Sequence, residues 1–188
     1  MIGLETALQL TLGGWAAFEL GLRIRERLQG RGGIARDRAT RVLIGVSLGA
    51  AIVVAAVTAS RATTPRIAAP YRTAGLIVTW LGLAIRVWAI AALGRAFRTT
   101  VEVDPGQAVV SAGPYRWVRH PSYSGLLLIA VGSGLAAGNW LALGVCAVVP
   151  LPALLWRIHV EEAELTEVLG DRYRAYQSQT KRLIPGLW

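Results

Sequence analysis

The sequence predicts an all-α, polytopic membrane protein with about five transmembrane helices and a cytosolic helical segment at its C-terminal end. Three observations predict it. Hydrophobic residues make up 54% of the 188 residues and charged residues only 16%, where a soluble domain carries about 25% charge. The apolar residues stand in long blocks rather than in strict alternation, so they read as spans and not as half-buried strands. Arginines flank the blocks, as they do in the cytoplasmic loops of membrane proteins.

The first block runs from about Leu4 to Leu22. Met1-Ile2-Gly3-Leu4-Glu5 supplies no basic leader ahead of it, so it is expected to stay as a span rather than be removed as a signal peptide. The second runs from about Val42 to Ala59, the third from Ala74 to Leu93, the fourth from Tyr123 to Ala137 and the fifth from Trp140 to Trp156. A crossing helix needs about 20 apolar residues. The fourth block is short by that measure and becomes adequate if Pro121 opens the helix, a position where proline's missing N–H costs nothing. Gly138-Asn139 leaves almost no loop between blocks four and five, which predicts an antiparallel hairpin. Pro150 and Pro152 each remove a donor from the helix ladder, so block five should kink, and kinked spans border cavities.

Beyond block five, Val160, Leu165, Val168 and Leu169 recur near the helical period, which predicts a helix over about Ile158 to Gln177. Glu161, Glu162 and Glu164 near its start and Arg172 and Arg174 near its end complement the helix dipole. Gly170 is expected to break it in two.

The formal net charge is +9, almost all of it arginine; Lys181 is the only lysine. The first loop carries Arg23, Arg25, Arg27, Arg31, Arg36, Arg38 and Arg41, whereas the second carries Arg61, Arg66 and Arg72. The third holds Arg95, Arg98, Arg116 and Arg119, and the tail Arg157, Arg172, Arg174, Lys181 and Arg182. Positive charge marks the cytoplasmic side, so loops one and three and the C-terminus face the cytoplasm and the N-terminus faces out. The arginine-rich, lysine-poor usage suggests a high-GC bacterium and hence its inner membrane. Charge that flanks spans is accounted for by topology, so no nucleic-acid partner is expected. Cys146 stands alone and His120 and His159 are the only histidines, which excludes an internal disulfide and a multi-histidine centre; no metal is expected. The chain reads as one membrane domain over 1–188, with N-terminal spans through residue 95 and a functional half over 96–188. Inside the spans, an intramembrane arginine needs a partner or water, so Arg86 reads either as a structural partner of Glu19 or as part of the lining of a substrate cavity, the structural reading being favoured. Trp80 and Trp88 read as packing.

Two polar clusters interrupt the hydrocarbon. Gly113-Pro114 makes a turn. In Arg119-His120-Pro121 the proline is expected to force His120 towards an extended conformation, leaving backbone groups free for a ligand. Tyr115 and Tyr123 offer faces that can stack on an adenine or cover a sulfonium. Ser122 and Ser124 read as helix-start residues. About forty residues on, Arg157 and Glu161 share a helix face, the spacing of an i,i+4 ion pair.

Taken together, Gly113-Pro114-Tyr115, Arg119-His120-Pro121-Ser122-Tyr123-Ser124-Gly125, Arg157 followed by Glu161-Glu162, Leu169-Gly170-Asp171-Arg172-Tyr173-Arg174-Ala175-Tyr176 and Arg182-Leu183-Ile184-Pro185 resemble the isoprenylcysteine carboxyl methyltransferase family. The resemblance covers about Phe97 to the end. It implies S-adenosylmethionine bound at the cytosolic face and a lipophilic or prenylated acceptor arriving from the bilayer. By position it implies cofactor contacts at Tyr115, His120, Pro121, Tyr123 and Glu161, and backbone contacts over Gln107, Ala108, Val109 and Val110. Glu102 falls near another such position, where the family has glutamine. Arg157 matches the arginine that holds the acceptor near the methyl group, and Glu162 is assigned beside it to the acceptor.

A carboxylate acceptor is ionised at neutral pH and needs no general base, so carboxyl O-methylation follows most directly. A phospholipid amine or a small thiol would need a proton acceptor, for which Glu161, Glu162 and His159 are candidates. An NADPH-dependent sterol-type reductase uses a related Arg-His-Pro motif, with asparagine at the position of Ser122 and an acidic residue at that of Leu126. A lipid-binding scaffold without catalysis would leave the polar clusters unexplained.

Overall fold

Among the described residues seven α-helices follow one another: α1 Leu4–Leu28, α2 Ala35–Ala59, α3 Ala69–Leu93, α4 Pro121–Ala137, α5 Trp140–Val148, α6 Leu151–Leu169 and α7 Asp171–Gln179. A 3-10 turn at Gly113–Arg116 precedes α4. The computed structural model describes residues 3–28, 35–59, 66–94, 97, 103 and 106–188. Glu102 and the loop positions Arg31, Arg61, Arg95 and Arg98 lie outside the described residues. Among the described residues there is no strand, only two isolated bridges, Arg66 with Asn139 and Val118 with Lys181.

Among the described residues three stretches are long and apolar enough to cross a membrane: Ala39–Ala59, Ala69–Leu93 and the joined pair Trp140–Leu169. Helix α4 is apolar but short, at 17 residues. Glu5, Gln9 and Glu19 dilute the apolar character of α1. Large hydrophobic side chains such as Val46, Val53, Ile77, Trp80, Leu81, Trp88, Leu141 and Trp156 stand exposed, the surface a bilayer would cover.

Helix α3 packs most closely on α4. Their seam is built from Gly75 and Gly82 on one side and Gly125 and Gly132 on the other. A Cβ at Gly82 would lie 2.7 Å from the Gly125 carbonyl oxygen, and one at Gly132 would lie 2.5 Å from the Thr79 backbone nitrogen. Backbones that approach this closely gain dispersion contact where lipid offers no hydrophobic drive. Helix α2 packs on α4, α5 and α6, whereas α1 packs on α3 and α4.

The predicted hairpin between α4 and α5 forms. Gly138 takes a left-handed conformation at φ 82°, and the Asn139 side chain caps α5 by accepting from Ala142 N at 2.7 Å. The helix breaks between Val148 and Leu151, as Pro150 and Pro152 predict. The break at Gly170 also forms, at φ 57°. The tail differs in one respect. No breaker lies between Trp156 and Ile158, so α6 runs without interruption from the span into the polar segment.

Trp80 does more than pack: its indole N–H donates to Thr11 Oγ1 at 3.0 Å and joins α3 to α1. Trp88 stacks edge-on against Trp117, 5.8 Å away. Glu19 and Arg86 meet both alternatives: they pair, and both line the cavity described below. Arg86 Nε and Nη2 reach both Glu19 oxygens, the latter at 2.8 Å, and Nη1 donates to Ser122 Oγ at 2.6 Å. One arginine thereby joins α1, α3 and α4.

Candidate active site

The start of α4, the end of α6 and the N-terminal half of α2 meet around a cavity of about 1150 Å³. Tyr115, His120, Tyr123, Arg157 and Glu161 all line it, as do Gln107, Ala108, Val109 and Val110. Residues about forty positions apart in the chain therefore converge on one space. Its polar end continues into an apolar gap between α1 and α2, walled by Leu12, Ala16 and Leu20 on one side and Ile44, Leu48 and Ile52 on the other.

Tyr123 stands at the centre. Its hydroxyl donates to Glu161 Oε2 at 2.6 Å and accepts from Arg157 Nε at 3.1 Å. Arg157 Nε and Glu161 Oε2 are 4.0 Å apart, so the predicted i,i+4 pair exists with a phenol between its members. Arg157 Nη1 also donates to Thr40 Oγ1 at 3.0 Å. The His120 ring stacks on Tyr123 at 5.6 Å and 21° between planes. Its Nε2 lies 3.1 Å from Glu162 Oε1, where the carboxylate accepts, and its Nδ1 lies 4.0 Å from Glu161 Oε1.

Glu162 sits behind the wall rather than in it. One oxygen accepts from Arg119 Nε at 2.8 Å and from His120, and the other accepts from Arg182 Nε at 3.0 Å. Its side chain is 7% exposed. A carboxylate so engaged ties α6 to the C-terminal segment. Arg119 extends the tie by donating to the Gln177 carbonyl at 3.1 Å and to the Thr180 carbonyl. Pro121 is buried at the first turn of α4 and shapes the wall from behind.

The His120 backbone departs from its sequence expectation. At φ −123° and ψ 55° it leaves the helical region but stops short of the extended conformation expected. Its N–H, however, donates to the Arg182 carbonyl at 3.0 Å, and its carbonyl accepts from Tyr123 N and Ser124 N. Proline displaced the backbone, and the C-terminal segment then took the N–H, and the first turn of α4 the carbonyl, that a ligand would have used. Ser124 is drawn into the same contact, donating to the Leu183 carbonyl at 2.6 Å.

Sequence reasoning assigned no role to Tyr173 and Tyr176, which also line the cavity. Tyr176 donates to the Tyr115 carbonyl at 2.6 Å. Burial pushes the Tyr176 phenol up to about 12. Burial, reinforced by the Glu161 charge, raises Tyr115 further, and Tyr173 rises mainly by burial. All three stay neutral donors across the working pH range. Thr40, Arg23, Glu26 and Arg41 were missed because their helices read only as generic spans and loops. All but Thr40 line the cavity, and Thr40 touches Arg157 behind it. Among the described residues no group of three or more His, Cys, Asp or Glu is arranged to hold a metal ion.

Comparison with known proteins gives a consistent result. The sequence model described as "Isoprenylcysteine carboxyl methyltransferase (ICMT) family" matches residues 75–167. A protein-S-isoprenylcysteine O-methyltransferase of Schizosaccharomyces pombe is 32% identical over 117 residues, covering 61% of this chain and 50% of that protein. One from Tribolium castaneum is 32% identical over 113 residues, covering 59% of this chain and 40% of that protein. A solved structure, described as the eukaryotic intramembrane Ras methyltransferase, superposes with a TM-score of 0.58 at 31% identity, covering 62% of this chain and 43% of the other. The chain spans about half the length of the curated relatives it matches. Amine, thiol and NADPH chemistry find no support among these proteins.

Proposed function

The chain belongs to the isoprenylcysteine carboxyl methyltransferase family, and on that premise we propose that it methylates the carboxylate of an S-isoprenylated cysteine, using S-adenosylmethionine, at the cytosolic face of a membrane. The observation that carries this reading is the single cavity. Its polar end joins Tyr115, Tyr123, Arg157 and Glu161, and its other end is an apolar gap between α1 and α2.

The residues fit the donor. Glu161 provides a carboxylate for its cationic groups, and the Tyr115 and Tyr123 rings offer the faces that attract a sulfonium. Bound there, S-adenosylmethionine supplies a methyl group already activated for displacement. Arg157 holds the acceptor carboxylate through charge-assisted hydrogen bonds. No side chain need remove a proton, because the acceptor is already ionised. The protein's task is alignment, which is worth roughly 7–11 kcal/mol when reacting atoms are held about 3–3.5 Å apart. His120, fixed by Glu162, holds the Tyr123 ring from behind. The Leu and Ile side chains of α1 and α2 receive the isoprenyl chain and keep water from the reacting groups.

In this reading all five apolar segments cross the bilayer and the whole chain acts as one domain, with residues 96–188 as its catalytic half. Successive spans then alternate in direction, α5 and α6 forming one span, and the cavity is lined by Arg23, Arg41, Arg119 and Arg157. The end that carries these arginines is cytoplasmic by the positive-inside rule, which leaves the N-terminus outside. The membrane is a bacterial inner membrane.

The test is a purified preparation with labelled S-adenosylmethionine and an N-acetylated S-isoprenylcysteine. We expect label in a methyl ester and a melting temperature raised by S-adenosylhomocysteine. Arg157→Ala should lower turnover by about 10²–10³-fold and leave cofactor affinity within a few fold. Stabilisation by NADPH instead, or unchanged turnover in that variant, would overturn the reading.

A further inference from the structure

We infer that Thr40, on α2, is a positioning residue for the proposed methyl transfer, holding the Arg157 guanidinium in the orientation that receives the acceptor carboxylate. The inference rests on the reading above and extends the site beyond the stretch that matches the family, since Thr40 lies outside residues 75–167.

The geometry is specific. Thr40 is fully buried at the start of the apolar part of α2. Its hydroxyl accepts from Arg157 Nη1 at 3.0 Å, across a separation of 117 residues. On another edge of the same guanidinium, Nε donates to the Tyr123 hydroxyl at 3.1 Å. Two oxygens from two different helices thus fix two donors of one planar group. A planar fork pinned at two points has little freedom to rotate about its last side-chain bonds.

The chemistry of those two oxygens matters as much as their placement. Both belong to hydroxyls, so they orient the cation without cancelling its charge. A carboxylate at position 40 would neutralise Arg157 and compete with an anionic acceptor. A hydrocarbon there would leave a buried N–H facing aliphatic carbon, and the guanidinium would turn to find another acceptor. Glu161, 4.0 Å from Nε, is one such acceptor. A turn towards it would collapse the separation that the Tyr123 hydroxyl maintains. The neighbouring Arg41 lines the same cavity, so this part of α2 is already exposed to whatever the cavity holds.

The experiment compares Thr40→Val, which keeps shape and removes the hydroxyl, with Thr40→Ser, which keeps the hydroxyl and loses a methyl. Both are measured in the full chain with S-adenosylmethionine and an N-acetylated S-isoprenylcysteine. Thr40→Val should lower turnover about ten- to hundredfold, the range expected when a hydrogen bond to a buried charged group is lost. Its affinity for S-adenosylhomocysteine should stay within about threefold of the parent's, because Thr40 touches Arg157 and not Glu161. Thr40→Ser should recover most of the turnover. A structural role alone would shift melting temperature and cofactor affinity together, and serine would not restore turnover selectively. If Thr40→Val proves too unstable to purify, Thr40→Ala against Thr40→Ser gives the same contrast, with turnover normalised to the fraction that binds cofactor. Parent-like turnover in the valine or alanine variant, beside an active parent, overturns the role of Thr40 alone. An inactive parent that still binds S-adenosylhomocysteine overturns the acceptor reading, and the role of Thr40 with it.

Discussion

At one end of the bundle the helix tips are tied by short polar contacts: Glu5 to Arg72, Asn139 to Thr58, and Ile67 N to the Gly138 carbonyl. The glycine seam of α3 and α4 runs inward from that end with almost no space between backbones. At the other end the same helices stand apart around a cavity, and charged side chains replace backbone contact. The difference shows how one bundle meets two demands. Close backbone packing supplies rigidity without consuming polar groups. The far end can then keep arginines, glutamates and tyrosines in fixed positions around open volume, which packing alone would never leave.

The sharpest way to break that division is to widen the seam. Gly132→Val places a branched side chain where even a Cβ would meet the Thr79 nitrogen at 2.5 Å and the Gly75 carbonyl at 2.7 Å. These neighbours are backbone atoms and cannot rotate away. The expected loss exceeds about 3 kcal/mol, beyond the usual cost of overpacking. Thermal unfolding in detergent should register it as a large fall in melting temperature. Cofactor affinity should fall as well, because Gly125 of the same seam leads directly into Tyr123 and His120. A variant of parental stability would mean that α3 and α4 are not held by this contact.

A smaller effect is expected behind the cavity. Glu162→Gln keeps the shape of the side chain and removes the charge shared by Arg119, His120 and Arg182. Leaving the buried Arg119 without its carboxylate should cost about 2–3 kcal/mol. Hydrogen exchange should rise first at Arg119, His120 and Lys181, whose amides lie in the join between the C-terminal segment and the start of α4. Unchanged protection there would remove Glu162 as the tie.

Much of this organisation was written in the sequence, for reasons that differ by region. Pro121, Gly138-Asn139, Pro150 and Gly170 are local devices, and each acts where backbone chemistry says it must. Long apolar blocks likewise located the helices, though α1 runs on past its block and α2 and α3 begin ahead of theirs. Charged residues such as Arg23, Arg25 and Glu26 continue α1 past Leu22, because nothing in that stretch opposes a helix. The motif residues Tyr115, His120, Tyr123, Arg157 and Glu161 could be named in advance, and the fold gathers them. What could not be read was reciprocity. His120's amide looked free until the C-terminal segment paired with it. Glu162, like Glu161, was read as facing the bound molecules, yet a rotation of about 100° along α6 turns it away from the cavity and towards Arg119, His120 and Arg182. Thr40 carried no signal, since a threonine beside an arginine at the head of an apolar block is unremarkable until Arg157 is seen above it.

The smallest effect separates two ion pairs that look alike on paper. Glu19–Arg86 and Glu5–Arg72 both join α1 to α3. The Glu19 and Arg86 side chains are 14% and 8% exposed, whereas Glu5 is 79% exposed and its contact with Arg72 is 3.3 Å. Water already solvates Glu5, so the pair gains little over its separated partners, and added salt screens what remains. Arg72 also keeps a second acceptor, the Ala136 carbonyl at 3.3 Å, when Glu5 is neutralised. Glu5→Gln should therefore change stability by less than about 0.5 kcal/mol and leave methyl transfer at the parental rate, in low and high salt alike. A loss of transfer in this variant would mean that the tied end communicates with the cavity along α1. That result would undo the separation of the two ends more thoroughly than any change made inside the site.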